Sequence, residues 1–506
     1  MAIAPRLILS IALPLAFGNA SAADWKITPR VDASETYTDN LMLTSNNQLS
    51  DFISQVTPGI NIVETGNRTH ATLDYDLEGL FYKNQSQLDH YYSQLNASGN
   101  AELVDKLLYI DAGASIVQQP LSLASPYGGN IGNATGNIVN VRTSSVSPYL
   151  LHRFGSIATG MARYTHMNQD YSSGGPSTTG SAYLGGLSSS TSDSTLLTLN
   201  SGTAFNNLLW GLNFNDNVIR YAGIPENRIA EYAADVGYLF TPKFKITVTG
   251  GYDDNNYVYF GPKPQNAFWS TEAAWAPTTH TKLSASTGHR YFGSTKSFML
   301  SHFTRLTTLQ ASYSQNVTSS MLPEYISPAT TLDQLLQIQI PDNAARQQAV
   351  QSLLSSLGSQ AAIFGQNIIT NHVYLDKAFN ASLGINLPKS IIVLTVFDSK
   401  ISSLEQGNSF LPGALNYGNV NQQGGTATWN WRLTPELSAN ASASLTNMTF
   451  PGQTLDENMG QLYLGLTKKL GKHLNSSLTY RHQSFTSNST FNYMENAVIV
   501  GLNYFR

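Results

Sequence analysis

No cysteine occurs among the 506 residues, so no disulfide holds this fold together. Charge is scarce: Asp, Glu, Lys and Arg make up 12% of the chain, about half the share usual in soluble domains. After the N-terminal leader no stretch approaches 18 uninterrupted apolar residues, which argues against a transmembrane helix. The net charge of -4 lacks the basic excess of nucleic-acid binders. There is no GxSxG elbow, HExxH pair or nucleotide-binding glycine loop. The ten histidines are scattered, and His70, His152, His289 and His302 read as polar interior or interfacial residues. A hydrolase is the weakest expectation; no catalytic, cofactor-binding or metal-ligating residue is expected. A polar tail is missing as well, since the chain ends in ENAVIVGLNYFR.

What is present begins with a leader. One basic residue, Arg6, precedes an apolar run from Leu7 to Phe17, and Ala20-Ser21-Ala22 offers small residues at a cleavage site. Residues 1–22 read as a secretory signal peptide, leaving 23–506 as the mature chain. That chain has 26 Tyr and 21 Phe, with abundant Ser, Thr, Asn and Gly. Export, low charge and aromatic richness together predict a transmembrane antiparallel β-barrel.

A barrel requires strands of about ten residues with one apolar and one polar face. In LLWGLNFNDN, Leu208, Trp210, Leu212 and Phe214 oppose Gly211, Asn213, Asn215 and Asn217. Within 69–81, Ala71, Leu73, Tyr75, Leu77 and Phe81 oppose Thr72, Asp74, Asp76 and Glu78. The segments 243–252 and 435–446 alternate in the same way. Short turns fall near Gly66, Val104, Gly155, Asn206, Pro242, Pro277, Arg305, Pro388, Pro435 and Gly471. Longer connections lie between them at 39–50, 118–138, 170–189, 259–265, 320–368 and 406–418. If the first strand (26–38) rises from the periplasm, every short turn is periplasmic and every long loop external, the outer-membrane pattern. The count is about 22 strands, within about 18–24.

The C-terminal stretch is then the last strand, paired with the first. Val498, Val500, Leu502 and Tyr504 share one face. They resemble the alternating C-terminal signal by which the assembly machinery recognises outer-membrane barrels, although Arg506 holds the place of the final aromatic and Phe505 lies one residue early.

A family resemblance rests on residues 250–319. GGYDDNNY (250–257) is followed by Phe268-Trp269, Trp275, Pro277, GHRYFG (288–293), Ser301-His302, Thr307-Thr308 and SYSQNVTS (312–319). This stretch resembles the PEP-CTERM-system-associated outer-membrane β-barrel family, more loosely matched over the mature chain from TPRVDASETYTDN onward. The resemblance implies a Gram-negative outer-membrane location and a link to exosortase sorting and exopolysaccharide loci. It carries no established activity. Family members are richer in arginine around 303–306, where this chain has Phe303 and Leu306, so no basic cluster is carried over there. On the strand expected at 280–292, Leu283, Ala285 and Tyr291 take the lipid face, and Tyr291, Phe292 and Tyr313 join an aromatic girdle. Trp269, Trp275, Trp429 and Trp431 also alternate for outward positions.

Such a barrel has a backbone radius on the order of 20 Å, too wide for strand side chains to fill. The lumen-facing candidates are Asp74, Asp76, Glu78, Asp111, Arg163, Glu231, Asp235, Lys245, Glu272, Lys282, Arg290 and Arg481. Their signs are mixed, and most are expected in salt bridges that stiffen the wall. Mixed signs among many hydroxyls and amides suit a neutral polar polymer better than an ion filter. The insertion 321–368 is the candidate occluder. In DNAARQQAVQSLLSSLG, Ala345, Ala349, Val350, Leu353, Leu354 and Leu357 share a helical face, between an N-cap at Asp342 and a stop at Gly358. The expected function is a channel or portal linked to exopolysaccharide secretion. The alternative is a non-conducting surface scaffold for extracellular polymer or sorted proteins. Expected partners are outer-membrane lipid, the barrel-assembly machinery, extracellular polysaccharide and periplasmic export components; nucleic acid is not among them.

Overall fold

A computed structural model describes residues 23–120, 132–174, 189–222, 225–257, 263–319, 373–404, 419–452, 454–488 and 492–505. They form 22 strands in chain order. The first eleven are β1 (Asp24–Thr38), β2 (Asp51–Thr65), β3 (Thr69–Tyr82), β4 (His90–Val104), β5 (Leu108–Pro120), β6 (Ile138–Phe154), β7 (Ala158–Ser173), β8 (Ser190–Ser201), β9 (Leu208–Tyr221), β10 (Asn227–Thr241) and β11 (Phe244–Asp254). The others are β12 (Gln265–Thr278), β13 (Thr281–Arg290), β14 (Gly293–Phe303), β15 (Thr307–Thr318), β16 (Tyr374–Leu387), β17 (Ser390–Ser403), β18 (Asn419–Arg432), β19 (Leu437–Thr449), β20 (Asp456–Lys469), β21 (Leu474–Ser487) and β22 (Asn492–Phe505).

Every strand pairs antiparallel with its chain neighbours, and β22 returns to pair with β1 from Arg30↔Phe505 to Thr38↔Ala497. The sheet therefore has no free edge. Closure matters because lipid cannot hydrogen-bond an exposed backbone. Following partners once around the ring returns to β1 about 28 residues further along. That stagger corresponds to a strand tilt of about 40° and a radius of about 20 Å. The seam carries side-chain bonds too: Asn496 donates to the Asp39 carboxylate at 2.8 Å, and Asn503 donates to Asp32.

Period-two alternation places the apolar rows outside. Trp25, Ile27, Leu212, Val236, Val248, Trp269, Trp275, Leu464 and Val500 are all exposed, whereas the opposite faces carry Asn, Ser, Thr and many of the charged groups. Val498, Val500, Leu502 and Tyr504 lie on this outward row. An exposed apolar belt around a closed barrel is the signature of a membrane-spanning sheet, here an outer-membrane barrel. Proline marks the ladder's interruptions, because it lacks an N–H. The β2–β3 register skips Pro58, the β6–β7 register skips Pro148, and Pro29 sits just before the first β1–β22 pair.

All ten expected short turns fall at one end of the barrel, and the long connections lie at the other. Gly155 takes φ +59 in the β6–β7 turn, a left-handed position that glycine adopts without strain. Several boundaries move by two to four residues: β5 reaches Pro120, β7 reaches Ser173, β13 stops at Arg290, and β22 starts at Asn492. Tyr291 is a correction. It lies in the β13–β14 turn, not on the outward row of β13, and its hydroxyl meets that of buried Tyr257 at 2.5 Å. Burial pushes the Tyr291 hydroxyl up to about 12. The leader 1–22 and the insertion 321–368, with Ala345, Ala349, Val350, Leu353, Leu354 and Leu357, lie outside the described residues.

The segment 39–50 is the second correction. Its first half does not stand out from the rim as an external loop: Asn40, Leu41 and Leu43 are buried, while 45–50 are exposed. Leu41 packs against Ile53, Leu80, Tyr82, Tyr92 and Ile138, four of them on inward faces of β2–β4, and Leu43 packs against Met459, Phe485 and Tyr493 on the inward faces of β20–β22. The cause is composition: LMLTS places two leucines where the chain leaves β1, and the inner wall below offers apolar partners. Burial of each contributes about 1.5–3 kcal/mol. That outweighs the strain at Leu43, whose φ is +52, a conformation costing a non-glycine residue about 1–2 kcal/mol.

Candidate functional site

The lumen wall and its long-connection mouth hold the chemistry. At β1–β4 the Arg30 guanidinium donates to Asp74 through Nη1 at 3.0 Å and through Nη2 at 2.5 Å, and to Asp76 at 2.5 Å. Asn61 donates to Asp74 at 2.9 Å. Gln55 and Gln94 donate to the Glu78 carboxylate at 3.2 and 3.4 Å. Across β5–β7, Arg163 donates to Asp111 at 2.8 Å while its guanidinium lies 4.1 Å above the Tyr149 ring. That ring stacks on Tyr109 at 5.0 Å. At β10–β13, Arg290 meets Glu231 directly, has Asp253 at 3.6 Å, and covers Phe268 at 4.1 Å.

Alternation brings each cluster together. On antiparallel neighbours, directly opposed residues take the same face, so an inward arginine and an inward carboxylate one to three strands away meet without any loop. The remaining candidates are less engaged. Asp235 accepts from Asn213 at 3.3 Å. Lys245, Glu272 and Lys282 share the inward face near the short-turn end, with no ion pair among the described residues. Lys245 and Lys282 line a cavity of about 230 Å³ together with Leu239, Ala274 and Ala276.

The fourth cluster sits under the mouth. Arg481 and Glu495 are both fully buried. Arg481 donates to Glu495 through Nε at 3.0 Å and Nη2 at 2.5 Å. Thr38 donates to the same carboxylate at 2.7 Å, and Asn133 at 3.3 Å. Asn133 belongs to 132–137, the second segment folded against the wall. Gln483 donates to Asn133 at 3.4 Å, Tyr82 donates to the Gly132 carbonyl at 3.0 Å, and the Ala134 amide donates to the Leu41 carbonyl at 3.2 Å. The segments 39–50 and 132–137 therefore brace each other and cover the inner wall from β20 through the seam to β4.

Among the residues of this arrangement that the sequence expectation omits are Arg30, Glu495 and Asn133. The first two were findable. Arg30 alternates with Trp25, Ile27 and Val31, and Glu495 alternates with Val498 and Val500, so both fall on the polar face. Asn133 lies in a connection, where no periodicity reports direction. Chemically, every arginine in the four clusters is neutralised by a carboxylate. Among the described residues the wall presents amides, hydroxyls and aromatic faces beside the unpaired Lys245, Glu272 and Lys282, and no ring of one sign.

Residues 418–505, a span containing β18 to β22, match the model of the family described as "Putative beta-barrel porin 2". The stretch 250–319 lies outside that span. No curated protein matches the chain. Among solved structures, the FrpB iron transporter from Neisseria meningitidis (F5-1 variant) is similar at 10% identity with TM-score 0.52, over 96% of this chain and 83% of that one. Its apoprotein form gives 0.53 at 10% identity, over 95% and 81%. The F3-3 variant gives 0.50 at 12% identity, over 96% and 82%. At such identities the likeness is one of fold: this chain is an outer-membrane β-barrel of 22 strands.

Proposed function

We propose that this barrel is an outer-membrane channel or portal for neutral, hydroxyl-rich solutes, linked to exopolysaccharide secretion and exosortase-dependent sorting. The observation that carries the channel reading is the width of the closed ring combined with its neutralised polar wall. A ring about 20 Å in radius leaves space beyond its own side chains. Arginine–carboxylate pairs remove the field that would select ions, while leaving many weak donors and acceptors for sugar hydroxyls. The link to polysaccharide export and sorting rests on the resemblance carried by residues 250–319. Delivery by a cleaved leader, insertion by the barrel-assembly machinery and cooperation with periplasmic export components belong to the same reading.

A second reading has its own observation. The segments 39–50 and 132–137 cover part of the inner wall and are held by buried contacts, which favours a closed barrel acting as a surface scaffold. Liposome swelling separates the two. Proteoliposomes of the refolded chain should swell in isotonic neutral oligosaccharide at rates that fall with chain length, and no more slowly than in a charged solute of equal size. Swelling no faster than protein-free liposomes, with folding verified by heat-modifiable migration, rejects the channel and leaves the scaffold.

A further inference from the structure

The outward face just above the apolar belt is not uniform around the barrel. On β7–β11 its charges are paired: Arg220 meets Asp193 at 2.5 Å and Glu226 at 3.4 Å, and Arg228 meets Asp216 at 2.9 Å and Asp254 at 3.3 Å. On β16 and β17 the pattern reverses. Lys377 stands directly opposite Lys400. Both lie on the outward face, two residues beyond exposed Phe379 and four beyond exposed Val396 respectively. Neither has a hydrogen bond or ion pair among the described residues. Asp398, the outward carboxylate one tier below them, is opposite Phe379, and among the described residues no ion pair joins it to either lysine.

Two like charges directly opposite each other on one sheet face are destabilising, because their Cβ atoms stand about 4.5–5.5 Å apart. The same row continues to Gln315 on one side and Asn421 on the other, both amides. Gln315 donates to the Tyr313 hydroxyl at 2.6 Å, while its carbonyl oxygen is buried with no donor among the described residues. Two unneutralised ammonium groups, an unsatisfied acceptor and an aromatic tier one step below (Tyr313 and Phe379, directly opposed) make a row at headgroup depth.

We propose that Lys377 and Lys400 together clasp the anionic phosphate of a membrane-lipid headgroup, with Gln315 accepting from a headgroup hydroxyl or amide. One phosphate between the two ammonium groups converts their repulsion into two charge-assisted hydrogen bonds. The site faces the bilayer, so it does not depend on whether the barrel conducts.

The test uses the full mature chain refolded into vesicles of phosphatidylcholine alone, or with lipid A or dephosphorylated lipid A, and native mass spectrometry of the extracted barrel. The parent should retain lipid A in preference to its dephosphorylated form. The double variant Lys377→Gln/Lys400→Gln should retain at least about tenfold less. Arg228→Gln, which alters the paired side of the rim, should change retention less than about twofold. A thermal comparison guards against a simple folding defect: the double variant should be at least as stable as the parent in phosphatidylcholine, where only repulsion has been removed, and less stable in lipid A. Equal retention by parent and double variant overturns the site. Equal retention of phosphorylated and dephosphorylated lipid overturns the phosphate. Displacement of lipid A from the parent by millimolar inorganic phosphate overturns the lipid as its source.

Discussion

Replacing Glu495 by Gln removes one charge from a fully buried polar cluster, and its effect can be worked out from the contacts. The carboxylate takes four donors: two from Arg481, one from Thr38 and one from Asn133. A Gln side chain accepts through one atom only and turns an amide donor toward the guanidinium. Arg481 stays charged, with its side chain 2% exposed, so the substitution strands a buried cation. Breaking a buried pair from one side costs about 3–5 kcal/mol. The double variant Arg481→Met/Glu495→Leu removes both charges, and replacement of a buried pair by apolar groups of similar volume is often neutral or stabilising. The single variant should therefore unfold at lower urea concentration in lipid vesicles, and the double variant should recover most of the loss. Because Asn133 hangs from the same carboxylate, the single variant should also loosen 132–137, read as faster protease cleavage there. A Glu495→Gln barrel within about 1 kcal/mol of the parent refutes the reasoning, as does a double variant weaker than the single.

Other consequences follow from the same geometry. Leu41→Ser with Leu43→Ser removes the apolar anchors of 39–50; deleting such buried side chains costs about 2–5 kcal/mol each, and proteolysis within 39–50 should accelerate while the barrel itself stays folded. Asp111→Asn leaves Arg163 without its carboxylate on the lumen wall, so reversal potentials in a salt gradient should shift toward anion preference. The Tyr291 hydroxyl, raised from its usual 10 to about 12 by burial, contributes stability that is complete below pH 10. That contribution is lost as pH rises toward 12, by up to about 2–3 kcal/mol. Comparing alkaline unfolding of the parent with Tyr291→Phe isolates it, since the variant should lose less stability over that interval.

The parts of the fold that sequence could show are those governed by period two. Strand faces and the ten short turns are written locally, since a lipid-facing row must be apolar whatever lies across the lumen. The row through Leu208 and Leu212, or through Val498 and Val500, needs no partner to be recognised. What escaped is written in long-range contacts. Arg30 meets carboxylates 44 and 46 residues away, and Thr38 meets Glu495 across 457 residues. Direction was also illegible in connections: Leu41 and Leu43 read as ordinary loop leucines until β20–β22 and β2–β4 supply the wall they cover. Tyr291 went astray for a related reason. Alternation holds to Arg290, the end of β13, and Tyr291 is the first residue of a turn whose side chains obey a different geometry.

Single-channel recording of the refolded mature chain in a planar bilayer, beside the Leu41→Ser/Leu43→Ser variant, tests the channel account most directly. The account predicts discrete conductance steps in both, larger in the variant because 39–50 no longer holds its place against the inner wall. No conductance in either, with both shown folded by heat-modifiable migration, contradicts it.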